Sequence, residues 1–442
     1  MLASKRKRYL SGPDWVISTL DHAMKASTGC GNMSQIVFTV DAPLDGQEIR
    51  SRLEAFARRF PVLEGRVRRD LKLSPYWAIP RNSEHGVLFT LQRFAPGTFD
   101  TSLPRILEQI INTPFPDERT HVAFTLLSDG ERSVLVMTFD HRIFDARGAE
   151  MFMDLLQQGI SSGFDTIGDD LVFTSTAALD HWSRKFLAGR SVNRRIIALT
   201  RSAPVALSMD KSGSGRYRYR LLAFSEQETA DIYEQAYREA GYLLESPYLL
   251  SVIIQSMHDM LKSKPSSSGT CYLIPVTTDL RPGLEPRQEI FFNHVSYLFY
   301  QVPLDGVDDR RGIIDLLKQQ MYDQVKAGFP KDLAEASLLT RIAPLSLLGK
   351  LLQLPTKGRM ATFAFSHLGK SSYRQPVFAG AKIGDLVHMP RVPLPPGIGF
   401  FSNYFNNRLN IVLAYLDGIL GDADVAVIEQ GIRQRFGVAH DQ

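Results

Sequence analysis

Strand-like and helix-like segments alternate along both halves of this chain, either side of a Ser/Gly-rich break, and that order excludes an all-helical or an all-β fold. Met33 to Val40 is rich in β-branched and aromatic residues and reads as a strand. After a turn at Asp41 to Asp45, Ile49, Leu53, Phe56 and Ala57 recur at helical spacing until Pro61, whose missing amide ends the pattern. Short strands are expected at Val87 to Phe94, Val122 to Leu127 and Ser133 to Phe139, the last two joined through Gly130 as a hairpin. Phe152, Leu155, Leu156 and Ile160 mark a helix after residue 145, and Thr176 to Leu187 reads as another.

The stretch from Ala198 to Arg216 holds Pro204, Gly213 and Gly215 with little periodicity, and it reads as a linker between lobes 1–197 and 217–442. Beyond it, Tyr217 to Phe224 is a strand. Ser225 with Glu228 three residues on is a capping-box pattern that opens a helix to about Ala240. Helices are expected at Ser246 to Leu261 and Arg311 to Gly328, and strands near Thr270 to Val276, Val295 to Val302, Thr362 to Ser366 and Leu409 to Tyr415. The two halves share an order of elements but no sequence repeat.

A length of 442 residues fits two domains of roughly 200 residues each. The net charge of +4 is small for that length. The only dense basic run is Lys5 to Arg8, a weak footprint for nucleic acid and a marginal one for anionic lipid, and it is expected to be a frayed, solvated terminus. No window approaches the roughly 20 apolar residues of a transmembrane helix, and the start of the chain lacks the apolar core of a secretory signal. With only Cys30 and Cys271, far apart, there is no disulfide framework, so a reducing, cytoplasmic compartment is expected.

The most informative window is Ser133 to Gly148, in which an apolar strand runs into His141, then Asp145 four residues on, then an amphipathic helix. Ten histidines in a chain produce HxxxD by chance about half the time, so the spacing alone also fits a hydrogen-bonded turn histidine beside a capping aspartate. The context adds more. A histidine at the end of a buried strand sits on a rigid element, with an intrinsic pKa near 6.5 that leaves it neutral and basic at cellular pH. Asp145 has two open roles: orienting the imidazole, or turning away to pair with an arginine and fix the loop.

These segments resemble the chloramphenicol-acetyltransferase-like superfamily, which includes condensation domains, BAHD acyltransferases, polyketide-associated acyltransferases and wax ester synthases. The resemblance rests on HxxxD at His141 and Asp145, the Asn32 to Asp45 and Arg58 to Arg66 stretches, Asp279-Leu-Arg-Pro282, Asn293-His-Val-Ser296 and Phe363 to Gly369. It implies an α/β fold of two lobes, each a mixed sheet with flanking helices, and a tunnel between them. It also implies His141 as general base, Asp145 as a structural partner of Arg281, and Asn293 and Ser366 as candidates to contact substrate or oxyanion. Late in the chain, the Pro- and Gly-rich Pro390 to Gly399 is expected as a loop or a latch returning to the first lobe.

Condensation domains carry HHxxxDG, whereas this chain has Asp140 before His141 and Ala146 after Asp145. Losing the first histidine weighs against a peptide-synthetase condensation domain. Alanine resists backbone angles open to glycine, so the loop is expected to be rebuilt or the activity reduced. The implied reaction moves an acyl group from coenzyme A or a phosphopantetheinyl carrier protein to a hydroxyl or amine acceptor, with no permanently bound cofactor. A non-catalytic module that recruits a carrier protein, and hydrolysis or epimerisation on the same scaffold, are the competing readings. His294 and His367 are expected to make local polar contacts, zinc-type and GK[ST] phosphate-loop spacings are lacking, and a monomer is the simplest assembly.

Overall fold

The computed structural model describes residues 6–84, 86–95, 97–164, 182–210, 213–262, 264, 269–281, 290–341, 343–348 and 361–438. The first half runs β1 (Arg6–Tyr9), α1 (Gly12–Thr28), β2 (Met33–Val40), α2 (Gly46–Ala57), β3 (Arg66–Arg69), β4 (Pro75–Ile79), β5 (Leu88–Arg93), α3 (Phe99–Ile111), β6 (Val122–Ser128), β7 (Ser133–Asp140), α4 (Ala146–Ser162) and α5 (Trp182–Leu199). The second runs β8 (Tyr217–Ala223), α6 (Glu226–Glu239), α7 (Glu245–Lys262), β9 (Cys271–Asp279), β10 (Val295–Pro303), α8 (Arg310–Lys326), α9 (Phe329–Ser337), β11 (Ala364–Lys370), β12 (Val377–Phe378), β13 (Ala381–Pro390), β14 (Ile398–Phe405), β15 (Arg408–Leu416) and α10 (Asp422–Arg435).

Two six-stranded mixed sheets dominate, ordered β12-β13-β2-β7-β6-β5 and β10-β9-β11-β14-β15-β8, with a small third sheet β1-β4-β3. The first is not built from the first half alone. β13 crosses from the second half and pairs antiparallel with β2, His388 opposite Ile36 and Pro390 opposite Ser34. The Pro-rich stretch after β13 leads back to β14 in the second sheet.

β7 is buried along its whole length because both faces are covered. Leu135, Met137 and Phe139 join a core with Phe56 of α2 and Phe152 of α4, while Val134 and Val136 pack with Phe99, Leu107 and Val412 of the second sheet. A strand covered on both faces reads as a continuous apolar run, which is why Ser133 to Phe139 stands out in sequence. Each such side chain contributes about 1.5–3 kcal/mol on burial, so the end of β7 is a firm mount for the loop that carries His141.

Two expectations are corrected. The described part of Lys5 to Arg8 is not frayed: Arg6 to Tyr9 forms β1, paired with β4 so that Arg8 lies opposite Trp77, and Arg8 is 5% exposed. A basic run has poor intrinsic strand preference, and tertiary pairing overrides it. Of the helix expected at Thr176 to Leu187, residues 176–181 lie outside those described; the described helix α5 runs from Trp182 to Leu199, into the stretch read as linker, and Ala188, Arg190, Arg194, Arg195, Ala198 and Leu199 along it are helix formers.

Candidate active site

The end of β7 sends consecutive side chains in opposite directions. Asp140 turns back into the first half. Its carboxylate accepts from the Arg142 backbone N–H at 2.9 Å, from Arg142 Nη2 at 2.6 Å, and meets His121 Nδ1 at 2.9 Å. Burial works against charge on Asp140, but Arg142 and His121 together hold its pKa well below the usual carboxylate range. Asp140 therefore fills the first position of the motif as a closed local ion pair.

His141 turns the other way, into a cavity of about 270 Å³ between the two large sheets. Its backbone N–H donates to Asn32 O at 2.8 Å. Its ring Nδ1 lies 3.2 Å from Asn293 Oδ1, while Asn293 Nδ2 donates to the His141 carbonyl at 2.9 Å. Because that amide nitrogen is committed, the atom facing the ring is an oxygen, which can only accept. The imidazole therefore carries its proton on Nδ1, and the Nε2 lone pair is the basic one.

Asp145 does not orient the imidazole: both its oxygens are engaged elsewhere. Oδ1 accepts from Gly148 N at 2.8 Å, capping α4, and from Arg281 Nη2 at 2.7 Å; Oδ2 accepts from His294 N at 3.0 Å. Burial would raise the pKa of this 1% exposed carboxyl, but the Arg281 guanidinium and the two backbone donors lower it. Arg281 is also held by Asp279 at 3.1 Å, and Asp279 meets Arg147 at 3.3 Å. Gly148 is required here, since a Cβ would sit 2.2 Å from Ile290 O.

Ala146 departs from the expectation of a rebuilt loop. It is the first residue of α4 and does not occupy the left-handed region, so alanine needs no rearrangement, and its methyl lines the cavity. Ser366 also lines it, its Oγ 2.7 Å from Thr277 Oγ1. Two hydroxyls in mutual contact spend one proton on each other and keep one to donate. Tyr297 stands nearby, its phenol pushed up to about 12 by burial and so protonated.

His294 contacts Phe291 O at 3.3 Å, and His367 Nδ1 contacts Ser402 Oγ at 2.9 Å, both local. Desolvation and the nearby Arg147 push the His367 pKa down to about 4, so it stays neutral. Sequence reasoning passed over His388, which lines the cavity with Nε2 2.8 Å from Glu150 Oε1, and Asp14, whose Oδ1 accepts from Asn293 N at 3.0 Å. Asp14 had a legible local signal as the third residue after Ser11 in a capping box. Among the described residues, no three His, Cys, Asp or Glu side chains converge as a metal site requires, and no helix is long and apolar enough to cross a membrane.

Two mixed sheets flanked by helices, with His141 facing the cavity between them, form the two-lobed fold expected from the chloramphenicol-acetyltransferase-like resemblance, and solved structures share that fold across nearly the full length of the chain. Among solved structures it is similar to the TRI3 trichothecene 15-O-acetyltransferase of Fusarium sporotrichioides, with a TM-score of 0.71 and 14% identity over 98% of this chain and 95% of that one. It is similar also to the first condensation domain of the calcium-dependent antibiotic synthetase (TM-score 0.67, 14% identity, 98% and 96% covered). The starter condensation domain of rhizomide synthetase, solved with C8-CoA and Leu-SNAC, gives a TM-score of 0.66 at 10% identity, with 98% and 94% covered. Scans of family models and of curated protein sequences find no match.

Proposed function

We propose that the protein transfers an acyl group from a thioester to a hydroxyl or amine acceptor, with His141 as the general base. The observation that carries this reading is the Asn293 Oδ1 contact on His141 Nδ1, at 3.2 Å, which leaves a basic Nε2 on the imidazole that lines the cavity. In the proposed reaction Nε2 takes the acceptor proton while the acceptor oxygen or nitrogen attacks the thioester carbonyl. The resulting oxyanion accepts the spare proton donor of the Ser366–Thr277 hydroxyl pair as a hydrogen bond. Collapse breaks the carbon–sulfur bond, and the imidazolium returns its proton to the leaving thiolate.

Asn293 then acts on the base, since its Oδ1 meets the ring and one amide N–H is given to the His141 carbonyl, and Ser366 with Thr277 takes the oxyanion role. Asp145 and Arg281 join residues 136 apart in sequence and brace the loop that carries His141. The closed Asp140–Arg142 pair supports a catalytic over a recruiting module, because it keeps the unusual carboxylate out of the cavity wall. The donor is read as acyl-coenzyme A or an acyl-phosphopantetheinyl carrier, both of which present a thioester on the same arm.

The test is to incubate the protein with acyl-coenzyme A donors of increasing chain length and mixed alcohols and amines, then look for acylated acceptor by mass spectrometry. Acylated acceptor above the no-enzyme control is the expected result. Thioester loss only to free acid would replace transfer by hydrolysis; no turnover of any free or carrier-bound thioester would overturn the reading.

A further inference from the structure

Arg8 lies on β1 opposite Trp77, so its side chain points inward while that of Lys7 points out. A buried guanidinium costs several kcal/mol unless its charge is matched. Here Nη1 meets Asp14 Oδ2 at 2.6 Å, and Cζ lies 3.5 Å from the centre of the Phe292 ring. Asp14 is 1% exposed, and its Oδ2 also accepts from the Ser11 backbone N–H at 2.8 Å. That leaves Oδ1 for one long-range donor, the backbone N–H of Asn293, 279 residues away in sequence. Arg8 thus grips both the carboxylate that holds Asn293 and the ring of the residue before it. Phe292 has φ 74°, a left-handed conformation that a bulky residue keeps only when its surroundings impose it.

We infer that Arg8 and Asp14 are positioning residues for His141, acting through Asn293 to fix the imidazole tautomer that leaves Nε2 free. The chain of contacts is continuous: Arg8 to Asp14, Asp14 to Asn293 N–H, Asn293 Oδ1 to His141 Nδ1, with Asn293 Nδ2 returning to the His141 carbonyl. Charge on Asp14 is what makes the middle link strong. Burial alone would raise its pKa, but Arg8 and the Ser11 and Asn293 amides lower it, so it remains a carboxylate and a two-sided acceptor. Replacing it by asparagine leaves one oxygen where Arg8 and Asn293 each need one, and the amide N–H groups then oppose one of those donors. A basic strand at the start of the chain thereby helps set the protonation pattern of a histidine more than a hundred residues later.

This inference rests on His141 being the base, but it is tested by a readout independent of turnover. The protein is prepared with ¹⁵N-labelled histidine, and two-bond ¹⁵N–¹H spectra are recorded at about pH 8.5, where the spectra themselves show the neutral ring. The His141 resonances are identified by their loss in His141→Gln. Wild type should show mainly the Nδ1–H tautomer, and Arg8→Met and Asp14→Asn should shift most of the population to Nε2–H. If transfer is observed, the same variants should lose about 10-fold in kcat with KM within about two-fold, because the substrate contacts are untouched. A merely structural ion pair would lower the melting temperature and leave the tautomer unchanged; that result in folded variants overturns the inference. Should either variant fail to fold, Arg8→Lys keeps the charge but not the planar group over Phe292, and the shift should appear at smaller amplitude. A tautomer shift in a protein that transfers no acyl group would keep the relay and sink the proposed reaction, whereas normal transfer with an unshifted tautomer would sink the relay alone.

Discussion

Two buried carboxylate–arginine pairs flank His141, and they are built differently. Asp140 pairs with Arg142, two residues on, and closes on itself with His121 and Asp21 nearby in the first half. Asp145 pairs with Arg281 and takes a backbone N–H from His294, so its partners lie beyond the halfway point of the chain. Removing one member of a buried pair strands the other, and the cost depends on what else remains to hold it. Arg142 keeps Asp21 at 3.5 Å if Asp140 is lost. Arg281 keeps Asp279, which is itself about one-third exposed, and two backbone donors are left unmet. The local pair therefore shapes the loop, while the long-range pair makes a formed site depend on both halves being assembled.

Asp145→Ala should have the largest effect: about 3–5 kcal/mol of stability lost by denaturant titration, with activity lost too. A stable but inactive protein would instead assign Asp145 to orienting the base. Asp140→Ala should be milder, about 2 kcal/mol, because Asp21 still faces Arg142; a larger loss than that of Asp145→Ala would reverse the ranking. Ser366→Ala, read by initial rates, should slow turnover about 10-fold, less than a full oxyanion-hole deletion because Thr277 stays. An unchanged rate would remove Ser366 from the reaction.

The smallest effect is one of pH, and it separates His367 from the two carboxylates. A folded-state pKa of about 4 against an unfolded value near 6.5 means that the unfolded chain binds the proton first as pH falls. Stability owed to neutral His367 is fully present above pH 6.5 and drains as pH drops toward 4, by on the order of 1 kcal/mol between pH 7.5 and 5.5. Asp140 and Asp145, whose pKa values are lowered, lose their contribution only below about pH 4. His367→Gln should flatten the stability profile above pH 5 and leave the acid limb; an unaltered profile would mean that His367 titrates freely.

Patterns set by neighbours in sequence were readable. β2 keeps the limits expected of it, the β6–β7 pairing is antiparallel as a hairpin requires, and Ser225 and Glu228 close a capping box at the start of α6. HxxxD also stood out, because β7 is apolar on both faces. What escaped depends on distant partners. Arg8 looks solvent-bound until Trp77, Phe292 and Asp14 enclose it, and β13 carries no mark in its own residues of joining the first sheet beside β2. Asn293 could be placed near His141 by resemblance, but that its amide gives an N–H to the His141 carbonyl and turns its oxygen to the ring is a contact between residues 152 apart, which sequence does not locate.

The most direct test compares acceptor-dependent thiol release from an acyl-coenzyme A donor, or from a carrier-bound one, between the wild-type protein and His141→Ala with melting behaviour as control. A loss of about 10²-fold or more in the variant with the fold retained is expected, because the proposed reaction gives the acceptor proton to Nε2. Wild-type rates in a folded His141→Ala protein would contradict it.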